Sequence, residues 1–67
     1  MTFKQFFKLD KLDIKTRYEM KIDNDKIVVK PDTKGYNFLI YVNDILLSTS
    51  NPNTESVMKY LKRRYKM

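Results

Sequence analysis

Ser48, Ser50 and Ser56 are the serine hydroxyls this chain offers for nucleophilic chemistry. Such a nucleophile needs a neighbouring base, and the chain contains neither His nor Cys, so the ordinary Ser-His and Cys-His arrangements cannot be built. All three therefore read as turn and helix-start residues. Paired carboxylates are the other route to acid-base work, and Asp10 with Asp13 and Asp23 with Asp25 are the nearest pairs in sequence. Both pairs fall in expected turns or helix ends. Asp23-Asn24-Asp25 has the form of the first positions of a calcium loop, which also needs Gly at its sixth position and Glu at its twelfth. Those positions hold Val28 and Lys34. Gly35 is the only glycine, so no glycine-rich phosphate loop is present. The expectation is a protein with no enzymatic activity, no bound metal and no organic cofactor.

Binding chemistry has better material. Ile14, Thr16, Tyr18, Met20 and Ile22 alternate with Lys15, Arg17, Glu19 and Lys21, so a strand burying the first set turns the second outward. Neighbouring strands would add Lys26, Lys30, Asn37 and Tyr41. Near the end of the sequence Lys59, Lys62, Arg63, Arg64 and Lys66 crowd two helical turns. Cations that meet phosphates, with an aromatic ring available for stacking, make a nucleic-acid surface. The candidates are Arg17, Lys21, Lys30, Tyr41, Lys59, Lys62, Arg63 and Lys66. Structure alone offers a competing account of each group: a solvated sheet face for the first, and cations satisfying a helix C-terminus for the second. The formal charge of +6 and pI near 9.7 suit an acidic partner. Lysine nevertheless outnumbers arginine eleven to three and alanine is absent, as an AT-rich genome would dictate for any function.

The elements that must position these residues follow from periodicity and turn chemistry. Thr2 and Gln5 form a capping box ahead of Phe3, Phe6 and Phe7, so a short helix is expected over residues 2–9. Strands are expected over 14–22, 26–30, 36–42 and 45–48. Asp23-Asn24-Asp25, Pro31-Asp32-Thr33-Lys34-Gly35 and the two-residue link Asn43-Asp44 should separate them. Asn51 then caps a second helix that has Pro52 in its first turn and carries Glu55 near its positive end. Val57, Met58, Leu61 and Tyr65 form the apolar face of that helix and should pack on the sheet. The fold class is α+β: a short N-terminal helix, a four-stranded antiparallel meander and a C-terminal amphipathic helix, in one small domain over residues 1–67.

The third strand is apolar on both faces, with Tyr36, Phe38, Ile40 and Val42 on one and Leu39 and Tyr41 on the other. The C-terminal helix can cover only one of them, and the N-terminal helix with its three Phe is expected to cover the second. A target protein or a second copy of the chain could cover it instead. The alternative to nucleic-acid binding is thus an inhibitor or adaptor that presents the Leu39 and Tyr41 face, or a sheet edge, to an acidic host protein.

Across residues 15–66, several short antiparallel strands followed by a helix running Thr54-Glu55-Ser56-Val57 to Leu61 resemble the arm-site DNA-binding domain of phage and transposon integrases. The resemblance implies DNA as partner, favoured over RNA. The glycine-rich, strongly basic hairpins of that family are absent from this chain. In composition it is similar in character to small proteins of phages and mobile elements of low-GC bacteria. The apolar runs are far shorter than the roughly 20 residues of a membrane span. A soluble cytoplasmic protein with no membrane partner is expected, with a homodimer as one open arrangement.

Overall fold

In the computed structural model, which describes residues 1–32, 34 and 37–67, the expected α+β architecture is present. It comprises α1 (Phe3–Phe7), β1 (Tyr18–Ile22), β2 (Asp25–Pro31), β3 (Phe38–Val42), β4 (Ile45–Asn51) and α2 (Thr54–Tyr65). The four strands form one antiparallel meander in the order β1-β2-β3-β4.

Both two-residue turns owe their geometry to Asn and Asp. Asp23 and Asn24 have φ of 51° and 69°, and Asn43 and Asp44 have φ of 51° and 68°. Two successive positive φ values are the type I′ signature, whose twist matches that of the flanking strands, and Asn and Asp tolerate it better than other non-glycine residues. Asp25, expected in the first turn, opens β2 instead. The second link turns as expected. Asn43 also joins the two hairpins: its amide Nδ2 donates to Asp25 Oδ1 at 3.0 Å, and its Oδ1 accepts from the Lys26 backbone N–H at 2.9 Å. The reversal expected between Pro31 and Gly35 is closed by the Asp32 N–H donating to the Asn37 carbonyl at 2.8 Å. Thr33, Gly35 and the expected strand start at Tyr36 lie outside the described residues.

Several boundaries differ from expectation. The first strand begins at Tyr18, not at residue 14, because Asp13 holds the preceding segment in a turn. Its Oδ1 accepts from the Lys15 N–H at 2.9 Å and its carbonyl from the Thr16 N–H at 3.2 Å. The last strand runs on to Asn51. Asn51 is therefore not the helix cap; Asn53 is, accepting from the Ser56 N–H at 2.8 Å. The first helix is shorter than expected, Phe3–Phe7, although the Thr2–Gln5 capping box forms in both directions.

The core lies between the sheet and the two helices. Met20, Ile22, Ile27, Val29, Phe38, Ile40 and Val42 from the strands meet Val57 and Leu61 from α2, with Phe6 from α1 and Leu12 from the loop that follows it. Met58 and Tyr65 pack at the margin of this cluster as the helical wheel implies, and Tyr60 joins them. Phe6 is wholly buried, edge-to-face with Tyr18 at 5.5 Å between centroids. Helix α1 thus packs on the same side of the sheet as α2. The expectation that it covers the Leu39 and Tyr41 face is overturned: five residues anchored by Phe6 beside β1 cannot also reach the far side of the sheet.

Candidate nucleic-acid interface

On the side of the sheet away from both helices, strand register sets the neighbours. Glu19 pairs with Val28, Val28 with Tyr41 and Tyr41 with Leu46, forming one row across all four strands. Lys21 opposes Lys26 in the next row, and Lys30 opposes Leu39 on the other side. Val28 is 4% exposed although no described helix covers this face. Its row neighbours Glu19 and Tyr41 flank it, and lysine stems can lie along such apolar surface while their charged ends stay in water. Lys30 illustrates it: its Nζ sits 4.7 Å from the centroid of the Tyr41 ring, a cation–π contact.

Beside that pair a shallow cleft of about 440 Å³ is lined by Lys15, Arg17, Lys30, Pro31, Asp32, Leu39 and Tyr41. Arg17 pairs with Glu19 at 3.0 Å and Lys26 with Asp44 at 3.4 Å; these ion pairs are exposed and weak. Lys15, Lys21 and Lys30 have no carboxylate partner among the described residues. Lys21 and Lys26 are like charges directly opposed across strands, an unfavourable pairing that the Asp44 carboxylate beside Lys26 partly offsets. Asn37, expected nearby, sits at the connection between β2 and β3.

The helical candidates are elsewhere. Helix α2 packs on the core side, so Lys59, Lys62, Arg63 and Lys66 are separated from Arg17, Lys21, Lys30 and Tyr41 by the thickness of the sheet. Lys62 lies 5.8 Å over the Phe7 ring. Lys66 ends the helix in the left-handed conformation, φ 54°, its N–H donating to the Lys62 carbonyl. Lys59 and Arg63 flank a smaller cleft of about 220 Å³ with Ser50, Asn51, Ser56 and Tyr60. The eight candidates therefore form two surfaces, not one.

Where the two hairpin turns and the end of α2 converge, the Tyr65 hydroxyl donates to Asp25 Oδ2 at 2.9 Å. Hydrogen bonds from Asn43 and then Tyr65 hold the Asp25 carboxyl below its ordinary value. Burial, and then the bond to Asp25, raises the Tyr65 phenol above its own. A hydrogen bond to Tyr65 raises Arg64. These contacts fasten the helix end to the sheet. Ser48 and Ser56 also serve structure: Ser48 Oγ accepts from Asn51 Nδ2 at 2.8 Å, and the Ser56 hydroxyl donates to Asn53 Oδ1 at 3.0 Å. Among the described residues no three acidic side chains gather as a metal site would require, and no helix is long and apolar enough to cross a membrane.

Sequence reasoning missed one surface. Ile45, Leu46 and Leu47 at the start of β4 are 62%, 42% and 41% exposed. Strand β4 is an edge of the sheet. A signal was present: from residue 35 to 58 the chain has no Lys or Arg, only Asp44 and Glu55 as charges, whereas the nine residues from Lys59 onward carry five cations. No family model, no curated protein and no solved structure matches the chain. None of these comparisons supports the resemblance to arm-site DNA-binding domains, and no residue role is carried over from it.

Proposed function

We propose that the protein binds nucleic acid, DNA in the first place, along the helix-free face of the sheet. Lys15, Arg17, Lys21 and Lys30 contact phosphates, and Tyr41 offers its ring to a base. The observation carrying this reading is the grouping of Lys15, Arg17 and Lys30 around Tyr41 and Leu39 on a face that no described helix covers. An exposed sheet whose ring stacks on unpaired bases and whose cations follow the backbone suits a single strand better than a duplex. The cations of α2 form a separate, second contact surface.

The test is fluorescence anisotropy of a labelled single-stranded oligonucleotide across a salt series. Each phosphate contacted contributes a slope of about 0.7 on a single strand, so three to five contacts give a slope of roughly 2 to 3.5. Lys30→Met keeps the stem over Tyr41 and removes the charge; it should lower both affinity and slope while the melting temperature stays. Tyr41→Leu should weaken binding with little change in slope. Absence of salt-sensitive binding near about 50 mM salt would refute the reading.

A second reading has its own observation. Leu39 and Tyr41 are half-buried and Leu46 is exposed on that same face, apolar surface that an acidic host protein could cover in the manner of an inhibitor or adaptor. Captured protein that survives nuclease treatment and is lost in Leu39→Lys would favour it over the first.

A further inference from the structure

The two edges of the sheet are built differently. Strand β1 exposes Glu19 and Lys21, with Arg17 just before it, the charged residues with which edge strands deter pairing. Strand β4 carries no charge from Ile45 to Asn51, and its first three residues are exposed and apolar. An edge strand has a row of backbone N–H and C=O groups that water satisfies in the free protein and that another extended segment can pair with.

We propose that β4 is the self-association surface of the protein, pairing antiparallel with β4 of a second copy about a two-fold axis near Leu47. Charge identifies the occupant. The strand starts at the turn residue Asp44, whose side chain is 81% exposed and held only by the weak ion pair to Lys26, and ends beside Lys59 and Arg63, which line a cleft with Ser50. With the axis at Leu47, the extra residue that β4 carries opposite Ile40 and Tyr41, the Ile45–Leu46 stretch of each copy lies along the Ser48–Ser50 stretch of the other, and Asp44 comes to the Ser50 end of the second copy. Each copy thus brings its acidic turn to the other's basic cleft, so complementary charges close both ends of a neutral strip. A cationic molecule can approach its own copy along this strip, whereas an acidic partner would be met better by the lysine-bearing surfaces. Antiparallel pairing about such an axis keeps both helix-free faces on one side, giving a continuous eight-stranded sheet.

Sedimentation equilibrium of nuclease-treated protein, from micromolar to millimolar, tests this without nucleic acid present. The parent should pass from 8.1 kDa to twice that mass. Leu47→Lys sets like charges against each other across the axis and should weaken the dimer by about tenfold or more. Because the Leu47 side chain is exposed, the circular dichroism and melting temperature of that monomer should match the parent's. Asp44→Lys and Arg63→Asp should each weaken association, and the double charge swap should restore it to within about threefold of the parent. A parent that stays monomeric at millimolar concentration overturns the proposal. So does a dimer indifferent to Leu47→Lys, or a double variant no tighter than the single ones. Oligonucleotide binding by the sheet face is measured separately and can stand or fall independently.

Discussion

Leu61→Ala is the substitution that most directly tests how α2 holds the sheet. Leu61 is 0% exposed, in the same cluster as Val57 of α2, Phe6 of α1 and the inward residues of the strands. Truncation removes three carbons, a transfer loss of roughly 2.4 kcal/mol at about 0.8 per buried CH₂. A residual cavity of a few tens of Å³ adds on the order of 1 kcal/mol, for about 3 to 4 in total. A 67-residue chain has roughly 3 to 10 kcal/mol of stability, so this is a large share. In a domain of this size each kcal/mol moves Tm by about 4 to 8 °C, which predicts a fall of some 12 °C or more. Thermal melts followed by circular dichroism, with urea titration as a check on the m-value, measure it. Lys59→Ala, two residues earlier and exposed, is the control and should stay within about 0.5 kcal/mol of the parent. If Leu61→Ala melts within a few degrees of that control, α2 is not fastened to the sheet through this side chain and the packing described above is wrong.

Asn51→Ala should cost about 1 to 3 kcal/mol although it removes no hydrophobic group, because Asn51 is buried and its Nδ2 donates to the Phe38 carbonyl at 3.0 Å and to Ser48 Oγ at 2.8 Å. Urea midpoints report the loss, and hydrogen exchange should locate it at the end of β4. Asp25 links stability to pH through a folded-state pKa lowered by Asn43 and Tyr65, so its contribution is present above the unfolded value near about 3.9 and is lost as pH falls through the lower folded one. Asp25→Asn should therefore flatten the acid limb of a Tm-against-pH profile. Tyr65 acts in the opposite sense: its raised pKa adds stability below the ordinary tyrosine value, lost as pH rises through the higher folded one, and Tyr65→Phe should remove that alkaline limb.

The elements were legible because local chemistry and tertiary packing agree over most of the chain. Alternation from Tyr18 to Ile22, the Asn and Asp pairs at the tight turns and the apolar stripe through Val57 and Leu61 each encode their own geometry. Errors arose where two residues could play one part. Asn51 and Asn53 are both good caps, and only tertiary contact decides between them: the Asn51 amide reaches the Phe38 carbonyl across the register shifts between β3 and β4 and is held in the sheet. Apolar alternation reached back to Ile14, yet the Asp13 side chain offered that backbone a competing turn. The choice of face for α1 was not encoded locally at all, since a helical wheel places Phe3, Phe6 and Phe7 together without saying which side of a sheet they meet. For the same reason the eight candidate binding residues could be named as types and not as one surface.

Composition and position make separate arguments about the charge. An AT-rich genome explains why lysine dominates the chain's fourteen cations, but it does not explain a run of 24 residues, 35–58, without a cation. Nor does it explain the placement of Lys30 over Tyr41. A meander with both helices on one face leaves the other face to protect itself, and the Lys30 stem does so over Tyr41 while keeping its ammonium group in water. This side chain thus has a structural cause beside the binding proposed for it, and removing it entirely would confound the two. Methionine at position 30 separates them because it retains a flexible apolar chain of similar reach and lacks the charge. Stability that survives this change, together with affinity that does not, assigns the ammonium to the ligand and the stem to the fold.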